Sequence, residues 1–416
     1  MNYLRRADPQ TVTASRRPVA METLTEAALI VEDVRLRGDE ALRRHAERLG
    51  DIAPGEPMVL ERDQLEKALE NVGDEARVVL ESVAQRIRAF AESQRQAVLD
   101  LDVEVTGGRA GHNWIPVASV GAYAPGGRYP LPSSVLMTVV PARVAGVDSV
   151  WLASPRPTPV TMAAAAVAGV DGLLAVGGAQ AIAALAFGTL TPQCDLVVGP
   201  GNRWVTAAKK YLFGEIGIDG LAGPSEILVI ADDSAIAELV AADLLAQAEH
   251  DDDAVPMLVT TSQNLANAVD EAIGRQLSDL PTSETASRAL RNGFCLIVGS
   301  LEEASSMSNR LAPEHLALHV DDPGSLLPQL RSYGSVFVGS RTAEAFADYG
   351  VGPNHVLPTG GGARYQSGLS VLTYLRSPTW TALDDPGPLV EDTVLLARLE
   401  GLEAHARAAQ LRAAGS

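Results

Sequence analysis

Cysteine is nearly missing from this 416-residue chain: only Cys194 and Cys295 occur, each inside a short apolar run. Two thiols so placed exclude a disulfide scaffold and a thiolate zinc cluster, and each reads as a small core residue rather than a nucleophile. Positive charge is also scarce, with 33 basic against 52 acidic side chains and a net charge of −19. That balance speaks against a nucleic-acid or anionic-membrane partner, which would need a basic face. It leaves room for a phosphate-bearing cofactor held by backbone amides. The opening MNYLRRADPQ has no apolar signal core, so the expected location is the cytoplasm. The stretch from Gly172 to Leu190 approaches the length and apolarity of a membrane span. Gly177-Gly178 and Gln180 in its middle favour a buried strand, turn and helix instead. A GxGxxG dinucleotide fingerprint is missing as well.

What is present is the texture of an ordinary soluble protein, 46% apolar and 20% charged, long enough for two or more full cores. Residues 1–20 read as an extended arm, and 21–50 and 61–99 are helical by spacing. Gly107-Gly108 between the alternating runs 103–106 and 114–117 suggests a hairpin. From Val117 onward, short apolar strands alternate with helices. Strands are expected near 120–123, 150–153, 173–176 and 196–198, then at 227–230, 257–260, 295–298 and 335–338. Asp233 or Ser234 would cap a helix running to Glu249. A final helix spans about 390–413. This rhythm predicts an α/β fold of two Rossmann-like parallel-sheet domains, with an extended N-terminal arm and a helical C-terminal tail. The expected division is an arm over 1–20, a discontinuous first domain over 21–118 and 226–368, a second domain over 119–225, and a tail over 369–416.

Four of the seven histidines sit beside oxygen donors: Gln247-x-x-His250, Pro313-Glu314-His315, Asp348-x₆-His355 and Glu400-x₄-His405. Imidazole and oxygen without thiolate suit a divalent cation such as zinc or manganese. Spacing alone does not show convergence, and Gln247 with His250 could equally be a solvated helix end. Glu314 and His315 could serve as base and acid. Adjacent side chains diverge along a regular strand, so joint action there needs an irregular backbone. His45 and His112 lie in polar surroundings and read as surface residues, and His319 as structural. The turns at Gly177-Gly178 and Gly199-Pro200-Gly201 stand where strands meet helices. Backbone amides favour phosphate there, although tight turns use glycine for conformational reasons too.

These segments together resemble the histidinol dehydrogenase family. The resemblance runs from VEDVRLRGDEAL at 31–42 through VGAYAPGG at 120–127, SSVLM at 133–137 and VGGAQAIAALAFGT at 176–189. It continues through VGPGN at 198–202, AGPSEILVIAD at 222–232, QAEH at 247–250, APEHL at 312–316 and NHVLPT at 354–359, and ends in GLEAHARA at 401–408. It implies oxidation of L-histidinol through the aldehyde to L-histidine, the last steps of histidine biosynthesis, with one zinc per subunit and two NAD. It further implies zinc on Gln247, His250, Asp348 and His405, with Glu314 and His315 as the acid/base pair. Tyr123, Gln180 and Asn202 match NAD contacts. Ser225, Gln247, His250, His315, Asp348, His355, Glu400 and His405 match the substrate's surroundings. His405 and Glu400 would come from the partner chain of a homodimer. Two departures stand out: Arg128 to Pro132 is atypical, and Ala347 replaces a usual glycine. The rival readings are a paralogous zinc- and NAD-dependent dehydrogenase of another small polar alcohol or diol, a zinc hydrolase using Glu314, and a silent metal-binding subunit.

Overall fold

The computed structural model describes residues 3–12, 19–126 and 130–413. Two six-stranded sheets organise them. In the first, the order is Gly217–Ile218, Leu196–Val198, Ser119–Tyr123, Ser149–Ala153, Gly172–Leu174 and Val59–Glu61. All neighbours are parallel except Val59–Glu61, which closes one edge antiparallel to Gly172–Leu174. In the second sheet the order is Arg5–Arg6, Phe294–Ile297, Val255–Thr260, Glu226–Ala231, His315–His319 and Ser335–Val338, all parallel. Both core orders begin at an inner strand, wind outward on one side, then return to the other. A parallel sheet covered on both faces needs strands apolar throughout, and Glu226–Ala231 and Val255–Thr260 are buried at every position.

The expected α/β class holds, and so do the strands foreseen in both halves, to within a residue or two at most ends. The stretch Gly172–Leu190 is the anticipated strand, turn and helix. Its helix Gly178–Phe187 is buried from Ala179 to Ala186, and among the described residues no helix is long and apolar enough to cross a membrane. The N-terminal arm has one anchored piece, Arg5–Arg6, paired with Phe294–Cys295; residues 13–18 of that arm lie outside the described residues.

Several expectations need correction. The helices of residues 21–96 pack mainly on the first sheet, with Arg86 Nε also donating to the Gly350 carbonyl at 2.5 Å. The helix Met21–Leu49 lies on Gly178–Phe187 and Arg203–Leu212, and Arg62–Asn71 lies on Pro159–Ala168. Ala27, Val31, Leu42, Leu65 and Ile87 share one core with Val120, Leu152 and Leu185. The amphipathic stripes of these helices fit either sheet equally well, so the pattern could not assign them. The run 61–99 is two helices, Arg62–Asn71 and Asp74–Gln96, separated at Gly73. The hairpin pairs Leu101–Val105 with Gly108–His112 rather than with 114–117, and Thr379–Leu383 adds a third strand. Neither Asp233 nor Ser234 caps the following helix, which begins at Ala237; Asp232 instead closes a turn onto the Ser234 amide at 2.9 Å. The final helix is a pair, Gly387–Leu399 and Glu403–Ala413, broken where Gly401 takes a φ of +76°.

Candidate active site

The first sheet reverses its winding between Ser119–Tyr123 and Leu196–Val198, the place where open α/β sheets hold ligands beyond their carboxyl ends. Gly199 follows directly, with a φ of +111°, and a Cβ there would stand 2.2 Å from the Tyr123 carbonyl oxygen. Only glycine lets the two chain segments close to this distance. The turn is anchored from below: the Gly199 amide donates to Asp219 Oδ2 at 2.7 Å, and Lys209 Nζ donates to the Gly199 carbonyl at 2.9 Å. Lys209 and Asp219 are themselves ion-paired, 4% and 5% exposed. Nearby, the Tyr123 hydroxyl accepts from the Gly178 amide at 3.3 Å. Burial pushes that phenol up to about 12, so it stays protonated. Gln180 Nε2 and the Gly177 amide both donate to Asp51 Oδ2, which leaves Gln180 Oε1 buried without a partner. Asn202 is exposed and caps the next helix, accepting from the Trp204 and Val205 amides.

The second cluster lies at the opposite, amino end of the second sheet. Helices that follow parallel strands run back across the sheet, so the helix Ala237–Ala248 ends beside the strand starts. Gln247 is fully buried in its last turn and His250 follows its end. At the next strand, Ala312 takes a φ of +49° just before Pro313. This is the irregular backbone that adjacent Glu314 and His315 required, and both are buried. The Glu226 amide donates to Glu314 Oε2 at 2.9 Å. His315 Nδ1 stands 3.1 Å from Gln247 Oε1 and 3.3 Å from the Glu226 carbonyl oxygen. Its Nδ1–H therefore faces acceptors, leaving Nε2 with the lone pair.

The short helix Glu344–Asp348 completes the cluster. Asp348 Oδ2 is 3.6 Å from His250 Nε2, while His250 Nδ1 donates to the Ala246 carbonyl at 2.9 Å. With Nδ1 engaged by the main chain, Nε2 is the ring nitrogen that faces Asp348. His355 bridges the two sheets' territories: Nδ1 is 3.3 Å from the Asp348 carbonyl, and Nε2 is 3.4 Å from Ser134 Oγ on the helix Pro132–Ala145. Ser225 is half-buried immediately before Glu226.

Burial dominates the titration of this cluster. It carries Glu314 well above the usual carboxylate range, with the charges of Glu226 and Asp348 adding to the rise. It drives His315 down to about 4, so the imidazole is neutral at pH 7. His250 goes the other way, to about 9: burial opposes its charge, but Asp348 and Glu344 outweigh it.

Of the expected site residues, Gln247, His250, Glu314, His315, Asp348 and His355 come together. Glu400 and His405 do not reach them within one chain; both are exposed on the terminal helix pair, which has its own small core of Val394, Ala397 and Ala406. Three participants went unnoticed in the sequence. Glu344 is 1% exposed, with its Oε1 at 3.3 Å from His315 Nδ1. His315, Glu344 and Asp348 place donor atoms within 4.8 Å of one another. The Glu344/Asp348 spacing of four in AEAFAD was the available signal, since it puts both on one helix face. Asp51 and Ser134 carried no signal. His45 is a correction too: it is half-buried, 2.7 Å from Asp33. His319 is structural as expected, buried 2.8 Å from Asp243.

The donors fit the groups the resemblance implies. An amide oxygen, an imidazole nitrogen and a carboxylate are borderline-to-hard ligands that suit zinc. Gln247 Nε2 and both Glu344 oxygens are buried without a hydrogen-bond partner, which is costly unless a further group enters. The glycine turns and the unpartnered Gln180 Oε1 similarly suit a dinucleotide at the first sheet's switch point.

Comparison with known proteins agrees. The histidinol dehydrogenase family profile matches residues 15–413. A histidinol dehydrogenase of Thermus thermophilus is 45% identical over 405 residues, covering 96% of this chain and 97% of that protein. One of Haloarcula marismortui is 46% identical over 391 residues, covering 92% of each. The crystal structure of histidinol dehydrogenase from Elizabethkingia anophelis superposes with a TM-score of 0.92 at 31% identity, covering 99% of this chain and 98% of that one. Profile, relatives and fold converge, and the chain belongs to the histidinol dehydrogenase family of oxidoreductases.

Proposed function

We propose that the chain oxidises L-histidinol through L-histidinal to L-histidine, with one zinc per subunit and two NAD per turnover. The observation that supports this best is the meeting of Gln247, His250 and Asp348 with the Glu314–His315 pair, joined through His355 to the first sheet. Gln247, His250 and Asp348 would hold the metal, and Tyr123, Gln180 and Asn202 the dinucleotide. When bound, zinc fixes the substrate's nitrogen donors by its charge, and NAD accepts a hydride in each oxidation.

The chain's own groups supply position and proton transfers. His315, neutral and with Nδ1–H engaged, accepts the hydroxyl proton at Nε2 in the first oxidation. Glu314, whose burial raises its proton affinity above that of an ordinary carboxylate, then takes a proton from water as it adds to the aldehyde. Ser225 and His355 flank the substrate.

Glu400 and His405 would complete the site from the partner in a homodimer. Supporting this, Leu395, Leu396 and Leu399 on the terminal pair are 60%, 59% and 76% exposed, and Phe346, Tyr349 and Val351 around Asp348 exceed half exposure. Apolar surface of this kind marks an interface.

Steady-state NADH formation tests the reading. Turnover of L-histidinol with two NADH per L-histidine supports it. No turnover with L-histidinol, but turnover with another small polar alcohol or diol, would transfer the chain to a paralogous activity.

A further inference from the structure

Glu344 is buried at a position where a carboxylate has no structural reason to be. It opens the short helix Glu344–Asp348, is 1% exposed, and makes no hydrogen bond through either oxygen among the described residues. Leaving such a group in the interior costs a substantial part of a domain's stability. A Leu or Met of similar volume would avoid that cost. The carboxyl is therefore retained for what it faces, and Oε1 faces His315 Nδ1 at 3.3 Å.

His315 has one Nδ1–H and three oxygens within 3.3 Å of it, with Glu314 Oε2 farther off at 3.8 Å. The Glu226 carbonyl is main chain and held in its strand. Gln247 Oε1 is the oxygen expected to be drawn to the metal, which weakens it as an acceptor. Glu344 Oε1 has no other engagement, and it can accept whether or not the carboxyl is ionised. Resting on the acid/base reading of His315, we infer that Glu344 is a positioning residue. With Gln247 drawn to the metal, Glu344 Oε1 becomes the acceptor to which Nδ1–H turns, which fixes the imidazole's tautomer and ring orientation and so aims Nε2 at the substrate hydroxyl. The same helix carries Asp348 one turn on, so one rigid element sets both the metal and the base.

The test uses zinc-loaded enzyme and the variants Glu344→Ala, Glu344→Gln, His315→Asn and the double variant His315→Asn/Glu344→Ala. Circular dichroism and gel filtration establish that each is folded. Glu344→Ala should lower kcat and the single-turnover rate of NADH formation at least tenfold. KM for L-histidinol should change less than threefold and zinc stay stoichiometric. Glu344→Gln keeps an acceptor oxygen and should remain within about fivefold of the parent. The double variant should be no slower than His315→Asn, because a residue acting through His315 has nothing left to act on.

A Glu344→Ala rate within twofold of the parent overturns the inference, as do multiplicative losses in the double variant. Loss of zinc from Glu344→Ala also overturns it, and makes Glu344 a metal-site group. A fully active His315→Asn removes the acid/base reading itself. A slow His315→Asn beside a normal Glu344→Ala removes only the role of Glu344.

Discussion

Replacing Asp219 by alanine should separate the electrostatics of the first sheet's glycine turn from its shape. Asp219 and Lys209 are 5% and 4% exposed. The carboxylate also accepts from the Gly199 amide at 2.7 Å, while the ammonium donates to the Gly199 carbonyl at 2.9 Å. Removing the carboxylate leaves a buried ammonium with one neutral partner and orphans an amide. Breaking a buried pair in this way costs about 3–5 kcal/mol. Unfolding entropy near 2.1 cal/mol/K per residue gives roughly 0.9 kcal/mol/K for the whole chain, so Tm should fall by about 3–6 °C if the chain unfolds as one unit. A smaller cooperative unit would show a larger fall. Gly199 would also lose its anchor, so the KM for NAD should rise more than that for L-histidinol. The double variant Lys209→Met/Asp219→Ala strands no charge and should recover most of the lost stability. Calorimetry and NAD-dependence of the initial rate read both effects. An Asp219→Ala protein as stable as the parent, or a double variant no better than the single, would refute the reasoning.

Other outcomes follow from the second cluster. His250→Ala and His405→Ala should each lose zinc and turnover while remaining folded; stoichiometric metal in either, by atomic absorption, would show the ligand set misassigned. Mixing His405→Ala with Glu314→Ala chains should restore partial activity if sites are shared, and no recovery in verified mixed dimers counts against sharing. In zinc-free protein the raised His250 contributes stability that is complete below its unfolded value of 6.5 and fades as pH rises through about 9. Its side chain is 42% exposed, so the effect should stay below about 1 kcal/mol. Thermal melts of metal-free Asp348→Asn should therefore show a shallower decline between pH 6.5 and 9, and an unchanged slope would sink the pairing. Gly199→Ala should raise the KM for NAD sharply, since its Cβ would meet the Tyr123 carbonyl at 2.2 Å; an unaltered KM for NAD would show that the turn does not hold the dinucleotide.

The sequence by itself determined the local structure and the chemical types. Short, β-branched, fully apolar runs such as Ile227–Ile230 read as buried strands, and the glycine pairs as tight turns. The pairing of imidazoles with oxygens in a chain of two buried cysteines already restricted the metal chemistry. Tertiary structure decided three other things. It seated helices 21–49 and 62–96 on the first sheet, because an amphipathic stripe specifies a buried face and not which sheet buries it. It brought Gln247, Glu314 and Asp348 together, which depends on parallel strands placing distant segments at one sheet end. And it set Glu344 against His315, because a single acidic side chain reads as solvated until its neighbours exclude water.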